Sequence, residues 1–418
     1  MDLPINHNTP TVMHIDLNSC FATCEQQAFP HFRGKPLVVA AYGTPAGCVL
    51  SPSIEAKKLG IKVGMRVREA RLLYRDIIVR TPDPPKYRAV HQQFVKIFRD
   101  YSPDVSPKSI DEAVIDFSQM PAVSEQGLIN IGREIKQRMR QEIGEWISCN
   151  IGISTNRFLA KLAASLHKPD GLDVINYQNL ENVYHQVTLL DFCGINIHFQ
   201  ARLNAGGIFT PTEMFQAPLQ TLRYQVFKSI IGYYWYLRIR GWEIDEVNFG
   251  RKSYGQSYAL PKPTADTREL ASLLMKLGEK MGRRLRRAGF SALGIHVGCL
   301  YSDGTFWHQA RKFPTEMYTT QEIFVKTMLI FNSQPVRKKV THLSVSCYDL
   351  KSGAEKQLSL LETDVTHKRK LSDALDQIND RYGEYVITPA IMMGMRDVVI
   401  DRISYGGVRD LEDIYAQC

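Results

Sequence analysis

The chain has 418 residues, 44% of them hydrophobic and 10% aromatic, which suits roughly two to four folded domains and excludes a disordered or collagen-like chain. No run of about 18 apolar residues appears, so no membrane-spanning helix is expected. Eight cysteines are scattered without a C-x-x-C pair, which excludes a disulfide frame and a zinc ribbon. The first residues, MDLPINHNTP, lack the basic and apolar regions of a signal peptide, so the expected location is cytoplasmic. Net charge is +9, and residues 251–348 alone hold 16 Lys and Arg against 6 Asp and Glu. One segment therefore carries the whole excess, and a polyanionic partner is expected for it.

In chain order, a short strand at 12–17 ends in Asp16 and runs into a helix start at Asn18 and Ser19. A strand at 37–42 follows. Ser51 and Pro52 then suit the N-cap and first residue of a helix that Gly60 stops. A helix at 65–74, a strand at 77–80 and a long amphipathic helix at 87–101 lead to PKSIDEAVIDF, residues 107–117. Beyond it the pattern predicts a helix at 129–143, a strand at 147–154 and a helix at 157–167. Strands and helices without strict alternation argue for an α+β fold.

Residues 176–248 lose the strand pattern and read as helical. Within them DFCGINIHFQARLNAGGIF places a Gly-centred turn between two short helical patterns. This resembles a helix-hairpin-helix, with Gly194 and Asn196 as candidate DNA contacts through backbone N–H groups. Asn196 stands where a second glycine is usual. After a linker at 249–252 the order becomes β-α-β-β-α-β over 253–348, and Arg283, Arg287 and Arg337 in it are further candidate DNA contacts. Residues 349–418 form a tail with one amphipathic helix carrying Leu371, Leu375, Ile378 and Tyr382.

Adjacent acids against an apolar run pose a problem, because neighbours on a regular strand point to opposite faces and buried charge is costly unless it is paired or binds metal. Asp16 at one strand end and Asp111-Glu112 at the start of another resolve it if the two strands are neighbours. Three carboxylates would then converge, and hard oxygen ligands select Mg²⁺. Two such ions would suit phosphoryl transfer. Asp116, farther along the same strand, reads as structural.

HIDLNSCFATCEQ, KSIDEAVIDFS and NIGISTNRFLAKLAASLHKPDG, in that order, resemble the Y-family (translesion) DNA polymerases, with the DinB branch most similar. The resemblance runs from about residue 12 into the C-terminal tail. It implies a right-hand fold: palm at 1–19 and 86–175, fingers at 20–85, thumb at 176–248 and a βαββαβ little finger at 253–348. It implies a DNA-directed DNA polymerase that adds deoxynucleotides to a primer 3′-OH on template DNA, with two Mg²⁺ held by Asp16, Asp111, Glu112 and the Leu17 carbonyl. Phe21 matches the steric gate against a ribose 2′-OH. Cys20, Ser51, Lys57 and Lys168 match nucleotide-binding positions, and Lys161, seven residues before Lys168, would support it from the same helix face. Lys57 stands where the family has Arg, and Ile54 where it commonly has Tyr, departures that bear on nucleotide affinity.

QLSLL at 357–361 resembles the bacterial sliding-clamp peptide, with Gln357, Leu360 and Leu361 as the contacts and Leu361 where Phe is usual. A monomer is expected. A non-catalytic adaptor would have lost the acids, and all three are present. A palm-type nucleotidyl cyclase would leave the hairpin and the basic segment unexplained.

Overall fold

The strand Val12–Leu17 is buried on both faces and forms the middle of a five-stranded sheet. The structure, a computed structural model, describes residues 4–120, 124–245, 251–352, 363–395 and 398–399. These residues fall into two units that part at 247/248.

In the first unit the sheet order is 105–107, 112–116, 12–17, 149–154 and 172–174. Val12–Leu17 pairs antiparallel with Glu112–Asp116, placing Asp16 opposite Glu112. On its other side it pairs with Cys149–Ser154, placing Asp16 opposite Asn150. Met13, Ile15 and Leu17 project to one face, into a core shared with Phe94 and Ile135. Those two residues come from the helices Pro84–Arg99 and Glu125–Arg138. Val12, His14 and Asp16 project to the opposite face, on which the helix Arg157–Leu166 lies. That helix approaches the sheet at Gly152, where a Cβ would meet the Ala160 carbonyl oxygen at 2.0 Å. Its start is fixed by Asn156, whose Oδ1 accepts from the Leu159 N–H at 2.8 Å.

A second, three-stranded sheet orders 49–52, 37–40 and 78–80 around a small core of Val38, Val49, Ala56 and Ile61. The third module is helical and is built on aromatic contacts: Phe158 meets Phe192 and Trp235 edge-on.

The second unit follows the predicted βαββαβ order. Strands Ser253–Thr264, Phe290–Tyr301, Phe306–Met317 and Val340–Ser352 alternate with helices Thr267–Arg287 and Thr320–Phe331. The sheet order is 306–317, 290–301, 340–352, 253–264. The final strand runs past 348 to Ser352, and the expected separate tail is corrected: residues 363–395 belong to this same unit. The helix Thr363–Tyr382 is held by Asp376, which takes Arg286 through two hydrogen bonds of 2.6 and 2.9 Å. Asp380 takes Arg283 at 2.5 Å and Arg287 at 2.8 Å.

Several element boundaries also move. Ser51 and Pro52 do not start a helix. They end the strand Val49–Pro52, with Ser51 paired to Val39, and Ser53 is the cap, accepting from the Ala56 N–H at 3.2 Å. The helix expected from 129 begins at Glu125, because the Ser124 hydroxyl caps it by accepting from the Gly127 N–H. It ends at Arg138 and passes into a wider π-type turn at 139–143.

Candidate active site

The strand register brings Asp16 and Glu112 to one sheet end, and the Leu17 N–H donates to the Asp111 carbonyl at 2.9 Å. All three acids line one cavity of about 360 Å³ with Leu17, Cys20, Phe21, Ser51, Lys57 and Lys168. Every predicted palm and fingers site residue therefore lines the same space. Ser51 stands on its strand and accepts from the Ala22 N–H at 3.4 Å, tying the strand to the first turn of the helix Cys20–Ala28. Phe21 is buried in that turn and stacks on Tyr87. Ile54 is not among the lining residues.

The lysines divide the acids between them. Lys168 pairs with Asp16, and Lys161 donates to Glu112 at 2.7 Å. The expected support of Lys168 by Lys161 is thereby corrected. The helix ends at Leu166, so Lys168 lies outside it, and Lys161 serves a different carboxylate. Burial raises the Asp111 carboxyl, and the charges of Asp16 and Glu112 add to that, against a hydrogen bond from Ser109. Burial lowers Lys57, and the nearby Lys168 ammonium adds to the effect. Lys161 is penalised by burial, but Glu112 more than offsets this and its affinity for a proton rises.

His14, two residues before Asp16, lies 3.8 Å from Glu112. Burial, followed by the Lys161 charge, pushes it down to about 3, so it stays neutral behind the acids. His14 and Ser109 were not singled out from sequence; the only signal for His14 is its i, i+2 spacing from Asp16, which shares its face. Asp116 is structural as expected: it takes Arg157 at 3.3 Å and caps the Ser118 N–H.

The candidate donors Asp16, Asp111, Glu112 and the Leu17 carbonyl are all oxygen groups, the kind that suits a hard divalent cation. The ammonium groups on Asp16 and Glu112 already show that these carboxylates attract cations. Among the described residues no three His, Cys, Asp or Glu side chains stand together as a metal cluster; Lys168, Lys161 and Ser109 are the partners of Asp16, Glu112 and Asp111.

The candidate DNA contacts fare unevenly. Gly194 takes a positive φ of 104° at the expected turn, but the element before it is only a 3₁₀ turn at 189–191. Asn196 caps the helix Ile197–Ala205 itself, accepting from the His198 and Phe199 N–H groups. Those donors are thus already used. Arg283 is corrected: it is buried against Asp380. Arg287 is half-exposed and pairs with the same acid, and Arg337 is exposed, donating to Thr267. Gln357, Leu360 and Leu361 lie outside the described residues. No helix among the described residues is long and apolar enough to cross a membrane.

The chain matches the impB/mucB/samB family over residues 15–165 and that family's C-terminal domain over residues 251–360. DNA polymerase IV of Pelotomaculum thermopropionicum is 30% identical over 399 residues, covering 94% of this chain and 97% of its own. DNA polymerase IV of Moorella thermoacetica is 32% identical over 406 residues, covering 95% and 98%. Among solved structures, a Y-family DNA polymerase chimera of Dbh and Dpo4 superposes with a TM-score of 0.72 at 24% identity, covering 81% of this chain and 98% of that one. An insertion ternary complex of Dbh DNA polymerase gives 0.56 at 23%.

The fold is thus the right hand of a Y-family polymerase, with palm, fingers, thumb and little finger, and the chain belongs to that family. It is a DNA-directed DNA polymerase of the DinB-like branch, in the company of the DNA polymerase IV proteins. The helix Thr363–Tyr382 follows the last residue of the family match.

Proposed function

We propose that this polymerase extends a primer 3′-OH by two-Mg²⁺ catalysis and serves in damage bypass. The observation that carries this reading is the convergence of Asp16, Asp111 and Glu112 on one cavity walled by Ser51, Lys57 and Lys168. Asp16, Asp111, Glu112 and the Leu17 carbonyl would hold the ions, which supply charge neutralisation at phosphoryl oxygens. The protein's own groups do the rest. Lys57 and Lys168 draw in the triphosphate, Ser51 and the Cys20 backbone bind it, and His14, kept neutral, backs Glu112 without adding charge. Phe21 lies beneath the sugar and excludes a 2′-OH by bulk. Primer–template DNA is gripped by the thumb near Gly194 and by the little finger through surface cations such as Arg337.

We take palm, fingers, thumb and little finger to divide near residues 20, 86, 176 and 253. The protein acts as a monomer in the cytoplasm, where QLSLL at 357–361 engages a sliding clamp. Primer extension on intact and lesion-bearing templates tests the reading. Asp111→Ala should end extension while primer–template binding, measured by fluorescence anisotropy, persists. An active Asp111→Ala protein would remove the metal-site assignment.

A further inference from the structure

Phe21 and Glu25 lie one helical turn apart on the helix Cys20–Ala28, and therefore share a face. Between them stands Tyr87, fully buried, from the helix Pro84–Arg99. Its ring stacks on Phe21 with centroids 4.5 Å apart and an 11° interplanar angle. Its hydroxyl donates to Glu25 Oε1 at 3.0 Å. Glu25 is 0% exposed, and a buried carboxylate is costly unless it is paired. Lys86, the neighbour of Tyr87, supplies an ammonium at 2.9 Å, and Arg80 lies at 3.6 Å. None of these four residues lines the cavity, so an effect of Glu25 on the site has to pass through another residue.

We propose that Glu25 and Tyr87 form a bracket that fixes the Phe21 ring, making both of them positioning residues for sugar discrimination. This rests on the reading of Phe21 as the steric gate. A gate that works by bulk is only as selective as it is stiff, and a displacement of about 1 Å is enough to change a reacting geometry. Stacked rings alone tolerate offset. A hydrogen bond from the far end of Tyr87 to a charged acceptor on the same helix as Phe21 removes that freedom. Burial and the Glu25 charge hold the phenol well above its ordinary value, so it remains a donor. A phenylalanine at 87 would fill the same space without the buried acid, so packing alone does not account for the Glu25–Tyr87 pair.

The test uses the full-length protein and single-nucleotide insertion, reading the ratio of ribonucleotide to deoxynucleotide kcat/KM. Tyr87→Phe should raise the ratio roughly fivefold, the scale of a typical lost hydrogen bond. Glu25→Gln should raise it less, since an amide oxygen still accepts from the phenol. The decisive comparison is Tyr87→Phe in a Phe21→Ala background, where the bracket has no ring left to hold and the ratio should move no further. A purely structural role would lower melting temperature and slow both nucleotides alike. If Phe21→Ala raises the ratio but Tyr87→Phe leaves it unchanged, or shifts it equally in both backgrounds, the bracket is overturned and the gate stands. An unchanged ratio in Phe21→Ala would remove the gate and the bracket together. Should Glu25→Gln fail to fold, Tyr87→Phe, which keeps the ring, decides the matter.

Discussion

The palm and the second unit each gather charge into a cluster, and they close it in opposite ways. In the palm, strand register assembles the acids, and the lysines that cover them are loosely held: the side chains of Lys161 and Lys168 are 38% and 44% exposed. In the second unit, one helix presents Arg283 and Arg286, and Asp376 and Asp380 seal them until those arginine side chains are only 8% and 3% exposed. The palm's cover stays open to water, and on the proposed function it is what a substrate or a metal ion would displace. The arginine cluster is an internal seam. Opposite charges in contact therefore mark a site in one region and structure in the other, and exposure of the partner separates the two cases.

The strongest way to break this contrast is in the palm. Asp111→Ala should lower primer extension about a thousandfold or more, over 4 kcal/mol of transition-state stabilisation, with little change in melting temperature. Its counterpart, Asp376→Ala, should do the reverse. It leaves Arg286 buried without its main acid, so stability should fall by roughly 3 kcal/mol, read by thermal unfolding. Extension by the folded protein should survive.

Acid tests the first unit by another route. His91 is buried in the first unit, its Nδ1 bonded to the Ile110 carbonyl, and burial lowers it to about 4. The unfolded chain, with a histidine near 6.5, binds more protons between those values. Stability is thus fully present above pH 6.5 and is lost as pH falls toward 4, by up to about 3 kcal/mol. His91→Gln should lessen this dependence in melting curves taken across that range, and the part that remains belongs to His14, which burial lowers further. The smallest effect expected is that of Lys161→Met on stability, below about 1 kcal/mol, because its partially exposed pair is screened by water. A loss as large as that of Asp376→Ala would erase the distinction between cover and seam.

Much of the palm was legible because its signals are local. Asp16 and Asp111-Glu112 sit at strand ends, and the strands were recognisable from their apolar runs. The βαββαβ order followed from composition and periodicity for the same reason. What the sequence concealed was pairing over distance. Lys161 finds Glu112 across 49 residues and Arg283 finds Asp380 across 97, and neither match leaves a periodic trace. A count of basic residues between 251 and 348 could not register that the acids neutralising part of them come later in the chain. At Ser51 the misreading was local: two serines two residues apart both suit a cap, and pairing with Val39 settled which one served.

Gly152 gives the palm its working depth. The helix above it rests its own backbone on the strand, with the Ala164 N–H 2.2 Å from where a Cβ would stand. Any larger residue at 152 would have to lift that helix, which carries Lys161 and leads directly into Lys168. Both ammonium groups would then rise away from Glu112 and Asp16, weakening a Coulomb attraction that depends on separation. The spacing between carboxylate layer and ammonium layer is thus set on the acids' own face of the sheet, by a residue that does not line the cavity. A single methyl group there would shift both lysines without touching any of the acids.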